Sequence, residues 1–205
     1  NEPNNHIYDQ WIDGDVGGYT AYWKYEEVVR INDFLANIDA AEMDNDTKTR
    51  YKGEARFMRA FLYFEMVQRY GGVPLITAPQ NIKDDLSVPR SSMNDCFKFI
   101  TAELDQAATE LSLDAPRGRV SKGAAMALKG RVLLYWASPQ YLTANDADLY
   151  KNVESINSNT QGAGAKERWK AAADANKAVI DLNRYALYPD LRQLWLDKSE
   201  NNKEA

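Results

Sequence analysis

The chain has 205 residues, 44% hydrophobic and 27% charged, the proportions of a folded globular protein with a sizeable core. Its net charge of −5, without a basic tail or stripe, argues against a nucleic-acid partner. With Cys96 its only cysteine and His6 its only histidine, the sequence excludes an intrachain disulfide and any Cys/His metal centre; no cofactor is expected, and a Ser-His-Asp triad would have to recruit His6 from a polar segment.

Residues 1–20 are polar, Gly- and Asp-rich and aromatic, and read as a loop or loosely ordered arm. Tyr8, Trp11, Tyr19, Tyr22, Trp23 and Tyr25 crowd into this beginning of the chain. A first helix is expected over about residues 22–38, with Val28, Ile31, Leu35 and Ile38 on one face. Asp44-Asn45-Asp46-Thr47 reads as a turn and cap, with the next helix starting near Lys48; the glycosylation sequon within it is read as a cap.

That second helix is the centre of the pattern. Phe57, Phe61 and Phe64 share one face, Met58, Leu62 and Met66 fill adjacent rows, and few charged residues interrupt the cover. Phe57, Phe61, Leu62 and Phe64, with Leu128 further on, are therefore expected to be buried. Gly71-Gly72 and Pro74 stop the helix, and a long connection to Pro89 follows, with β-branched residues that suggest a short extended piece. Further helices are expected over about residues 92–111, 121–138 and 166–183; the last carries Trp169, Ala172, Ala173, Asn176, Val179 and Ile180 on its packed side. Residues 145–164 read as a surface loop.

Laying the helices over each other brings out a repeat. An offset of 70 places Gly53, Ala55, Ala60 and Leu62 over Gly123, Ala125, Gly130 and Val132; an offset of 69 places Val28, Ile31 and Leu35 over Phe97, Ile100 and Leu104. Helices one and two form a pair that helices three and four repeat, and the small residues allow close approach. The expected fold is all-α: tetratricopeptide-like pairs with enlarged loops, stacked as an α-solenoid. The competing reading is that any two amphipathic helices match at some offset.

The residues also resemble a known family. The segment GEARFMRAFLYFEMVQRYGGVPLI at residues 53–76 is similar to the signature of the SusD/RagB family of outer-membrane nutrient-binding lipoproteins. The order of the other motifs agrees: Arg30 to Ile38 resembles R-x-x-N-x-F-L-x-N-I, Ile100 to Ala107 resembles I-x-x-D-L-x-x-A with Glu103 in place of Asp, and Gly118 to Lys129 resembles G-R-x-T-K-x-A-A-x-A-L-K. The resemblance implies residues 21–198 as a SusD-like helical domain, residues 1–20 as an arm, and residues 199–205 as the start of a further half, so that the sequence reads as an excerpt of a longer chain. It also implies a non-catalytic, surface-exposed lipoprotein of the outer membrane that binds a glycan and hands it to a SusC-like TonB-dependent transporter. Contact with the membrane would come only through a lipid anchor outside this sequence, which has no run of 18 apolar residues and no leader.

Tyr8 and Trp11, beside Asp9, Asp13 and Asn5, are the candidate ligand surface: sugar C–H faces stack on aromatic rings, and hydroxyls need planar polar partners. Tyr22, Trp23 and Tyr25 read instead as anchors of the first helix in the core. Asp13 to Gly18 starts like a calcium loop but has Gly17 at its fifth position and Lys24 at its twelfth, so no metal is expected there. Arg56 and Arg59 with Glu54 and Glu65 are spaced for ion pairs rather than acid–base chemistry. Two other functions stay open: a tetratricopeptide-like scaffold for a protein partner, and binding of a non-sugar nutrient such as a peptide.

Overall fold

Asp44 starts the longest helix. Its carboxylate accepts the Thr47 amide at 2.8 Å, a bond that holds its pKa below the ordinary carboxylate range. The helix therefore begins at Asn45 rather than near Lys48. The computed structural model describes residues 22–81, 83, 86–138, 141, 165–187, 190 and 192. Its helices are α1 (Tyr25–Asn37), α2 (Asn45–Tyr70), α3 (Met93–Glu110), α4 (Lys122–Ala137) and α5 (Ala165–Asp181), with a 3-10 turn at Ile38–Ala40. No strand occurs among the described residues. Ser92 and Ser121 cap α3 and α4 as Asp44 caps α2, accepting the amides of Asp95 and Ala124. Gly71, at φ 71°, ends α2 in a conformation that few other residues adopt.

Each helix packs antiparallel on the next. Asp39 meets Lys52, Asn32 meets Arg59 and Tyr22 meets Tyr70 along α1 and α2. Gly53 lies against Leu111 at one end of α2 and α3, and Gly71 against Met93 at the other. Lys129 reaches Asp105 and Trp136 reaches Asn94 between α3 and α4. Gly123 faces Tyr185, Gly130 faces Asn176 and Trp136 faces Arg168 where α5 packs on α4.

These contacts carry the repeat. A Cβ on Gly53 would stand 2.8 Å from Leu111 Cγ, and one on Gly123 would stand 1.9 Å from the Tyr185 hydroxyl. Two glycines 70 residues apart are thus each covered from the end of the helix that follows. Gly130 does the same against Asn176, where a Cβ would meet the side-chain amide at 2.6 Å. The absence of a side chain at these points lets the backbones approach, and the stack forms an all-α solenoid.

The buried face of α2 differs from the aromatic stripe. Arg59, Ala60, Tyr63, Phe64, Met66 and Val67 are buried, together with Leu62, whereas Phe61 is 36% exposed and Met58 is exposed. Phe57 and Leu128 are half-buried and pack at the core's edge. The core is built where α2 meets α3, on Tyr63, Phe64, Met66, Phe97, Ile100 and Leu104. Helix α5 buries Ala172 against α4 but leaves Trp169, Ala173 and Ile180 exposed. Its expected packed side is therefore only partly covered among the described residues.

The connection after α2 is held by side chains rather than by a sheet partner. Tyr25 Oη donates to the Pro74 carbonyl at 2.6 Å, and Asn32 Nδ2 donates to those of Ile76 and Ala78. Arg59 reaches the Thr77 carbonyl at 3.2 Å. The Tyr63 hydroxyl accepts the Ile76 amide at 2.8 Å and donates to the Ile76 carbonyl at 3.0 Å, as a paired strand would. Extended backbone can lie against helices here because α1 and α2 supply what its polar groups need.

Burial pushes the Tyr63 phenol up to about 12 and also raises that of Tyr25. A folded-state pKa above the unfolded value means that the stabilisation is fully present below about pH 10 and lost as pH rises towards 12. Denaturant unfolding at successive alkaline pH values should show a loss on the order of 2 kcal/mol across this window from Tyr63 alone. Tyr63→Phe should flatten that slope while lowering stability at neutral pH by about 1–3 kcal/mol through the stranded Ile76 amide. An unchanged alkaline slope in the variant would sink the assignment.

Candidate functional site

The charged residues of α2 point to structure rather than chemistry. Arg59 Nε donates to Glu103 Oε2 at 2.8 Å, its Nη1 to Asn32 Oδ1 at 2.7 Å, and its guanidinium lies 5.5 Å from the Phe99 ring centre. Arg56 bridges Glu103 at 3.1 Å and Glu110 at 3.3 Å. Glu54 pairs with Arg119, and Glu65 with Arg69 at 2.8 Å. Each carboxylate faces an arginine, so these groups are engaged in ion pairs. The expectation of ion pairs holds: Glu65–Arg69 lies within α2, Arg56 and Arg59 tie α2 to α3, and Glu54 ties α2 to the turn ahead of α4.

The surface feature that stands apart lies just ahead of α1. Tyr22, Trp23 and Tyr25 do not act alike. Tyr25 packs into the core and binds Pro74, and Tyr22 lies half-buried beneath the Arg69 guanidinium, which sits 4.5 Å from its ring centre. Trp23 is 53% exposed. The Tyr70 ring packs against it at 5.1 Å and 79°, and the Tyr25 ring at 5.0 Å and 57°. The Tyr22 amide donates to the Tyr70 hydroxyl at 2.7 Å, which ties the chain to the end of α2 just ahead of Trp23. An indole held by two rings, with half its surface open, is a flat and oriented stacking surface. The reading of Trp23 as a core anchor is therefore corrected. It precedes α1 and has no helical periodicity, so its sequence position carried little signal of which way it faces.

Tyr8, Trp11, Asp9, Asp13 and Asn5 lie outside the described residues. Among the described residues no helix is long and apolar enough to cross a membrane.

A family model described as SusD-like, starch-binding associating with outer membrane, matches residues 2–134. The chain belongs to the SusD-like family. A SusD-like protein of Formosa agariphila is 35% identical over 100 residues, a match that spans 48% of this chain and 20% of that relative. A SusD superfamily protein from Parabacteroides distasonis superposes with a TM-score of 0.71 at 26% identity over 94% of this chain and 38% of that one. A laminarin-binding SusD-like protein is 25% identical, with a TM-score of 0.62, over 90% of this chain and 36% of its own. The SusD-like chain thus spans well under half the length of these relatives.

Proposed function

We propose that this chain is part of a non-catalytic glycan-binding protein of the outer-membrane surface. The observation that carries the reading is Trp23, a half-open indole fixed by Tyr70 and Tyr25 and preceded in sequence by a segment that holds Tyr8 and Trp11. Residues 1–20 are the arm and residues 21–198 the helical support. Tyr8 and Trp11 extend the stacking surface, and Asp9, Asp13 and Asn5 accept or donate hydrogen bonds to sugar hydroxyls. The family match and the laminarin-binding neighbour support a glycan as the ligand. Delivery to a SusC-like TonB-dependent transporter, and anchoring by a lipid outside this sequence, complete the proposal.

Calorimetry with laminarin and xyloglucan on the full chain tests it. Trp23→Ala and Trp11→Ala should each weaken binding about tenfold or more, as removal of a central aromatic contact does. The melting temperature should stay nearly unchanged for Trp23→Ala, because the ring is half-exposed. A Trp11→Ala protein that is destabilised yet binds at full affinity would remove Trp11 from the platform.

A scaffold for a protein partner has one observation in its favour: Trp169, Ile180 and Leu187 are exposed on and just after α5. Loss of glycan binding in the arm variants, with no effect from Ile180→Ser, would decide against it.

A further inference from the structure

Trp23 stands at a helix start that does not hold itself. Asp44, Ser92 and Ser121 accept amides at the starts of α2, α3 and α4, whereas Lys24, in the same position ahead of α1, makes no such bond. A helix start without a side-chain cap is prone to fray, and the indole lies one residue ahead of this one. Its direction is therefore set by groups that arrive from elsewhere, and the last turn of α2 supplies two of them in succession. Tyr70 packs on the indole and accepts the Tyr22 amide at 2.7 Å. Arg69, one residue earlier, places its guanidinium 4.5 Å from the Tyr22 ring centre.

Arg69 is itself locked within its helix. Its Nη1 donates to Glu65 Oε2 at 2.8 Å and to the Glu65 carbonyl at 2.7 Å. A planar guanidinium held in this way is a fixed plate on which the Tyr22 ring rests. Lys24 also lies 5.3 Å from that ring centre, but its partner Glu27 belongs to α1. That pair moves with the segment rather than anchoring it to α2. The Tyr70 bond fixes the backbone of Tyr22 at one point, and the Arg69 contact fixes its side chain, so the chain enters Trp23 from a residue held at two places. Arg69 and Glu65 are partly open to solvent, where an ion pair adds little to stability. What the pair governs is placement.

We infer that Arg69 is a positioning residue of the glycan site: locked by Glu65, it clamps Tyr22 and so holds the Trp23 indole in the orientation that a sugar ring meets. The inference rests on the glycan-binding reading above. A binding surface that is in place for only part of the time binds more weakly by that fraction. Calorimetry of the full chain with laminarin and xyloglucan oligosaccharides reads the effect. Arg69→Met, which removes the cation and keeps an apolar stem, should weaken binding about three- to fivefold, with the melting temperature nearly unchanged. Tyr22→Leu should weaken it to the same degree, and the double variant no further, because the two residues act through one contact. Tyr22→Phe, which keeps the ring face and the amide, should bind as the parent does, and Arg69→Lys should recover part of the loss. Without any ligand, the tryptophan fluorescence that disappears in Trp23→Phe should be less polarised in Arg69→Met than in the parent.

A double variant that loses the product of the two single losses would show Arg69 or Tyr22 meeting the sugar directly, and would overturn the clamp. Unchanged affinity and unchanged polarisation in Arg69→Met would overturn it as well. A folded parent that binds neither probe would overturn the glycan reading, and the polarisation would then decide by itself whether Arg69 holds the indole.

Discussion

Replacing Glu103 with alanine should lower the unfolding free energy by about 3–5 kcal/mol, the cost of leaving a buried charge without its counter-charge. Glu103 and Arg59 are both nearly inaccessible, and Glu103 also receives Arg56. Removing the carboxylate leaves Arg59 with Asn32, the Thr77 carbonyl and the face of Phe99, none of which carries a counter-charge. Chemical denaturation measures the effect, and Glu103→Gln, which keeps an acceptor, should fall between alanine and the parent. The double replacement Arg59→Met with Glu103→Leu should recover much of the loss, because a buried ion pair is often matched by packed apolar side chains of similar volume. A loss below about 1 kcal/mol for Glu103→Ala would mean that water reaches the pair and that the network does not hold α2 to α3.

Phe64→Ala should cost about 3–5 kcal/mol, and Phe61→Ala no more than about 1 kcal/mol. Phe64 is 0% exposed, lies edge-on to Tyr135 at 5.2 Å, and would leave a cavity between α2 and α4. Phe61, three residues earlier on the same helix, keeps about a third of its surface in contact with solvent. Equal losses at the two positions would show that Phe61 is covered in the folded protein and would move the core to the aromatic stripe.

Stability at α2 bears on the site because Trp23 has little support of its own. Its plane is set by Tyr70, the last residue of α2, and by Tyr25, which is bonded to the clamped connection at Pro74. Loosening that end of α2 should widen the indole's range of orientations before the helix itself unfolds. Glycan affinity is therefore expected to fall in Tyr70→Ala as well as in Trp23→Ala, through position rather than contact.

Signals confined to a few neighbouring residues determined the helices. Asp44, Ser92 and Ser121 cap them, Gly71 stops α2, and apolar spacing within each segment marks the amphipathic runs. The offset of 70 that links Gly53 with Gly123 was also readable, because a residue without a side chain leaves a mark at any position where backbones must meet. Which face of α2 is buried was not readable. The stripe through Phe57, Phe61 and Phe64 and the stripe through Arg59, Tyr63 and Met66 are both wide enough to pack, and only the placement of α3 selects between them. Arg59 is a surface residue by type, and it becomes a core residue because Glu103, 44 positions away, is brought to 2.8 Å. The exposure of Trp23 was decided in the same way. It stands before the first helical turn, where periodicity says nothing, and its open half exists because Tyr70 and Tyr25 arrive from α2 and α1 to cover the rest. Local chemistry sets where a helix begins and ends, whereas the burial of any one side chain depends on neighbours that arrive from elsewhere in the chain.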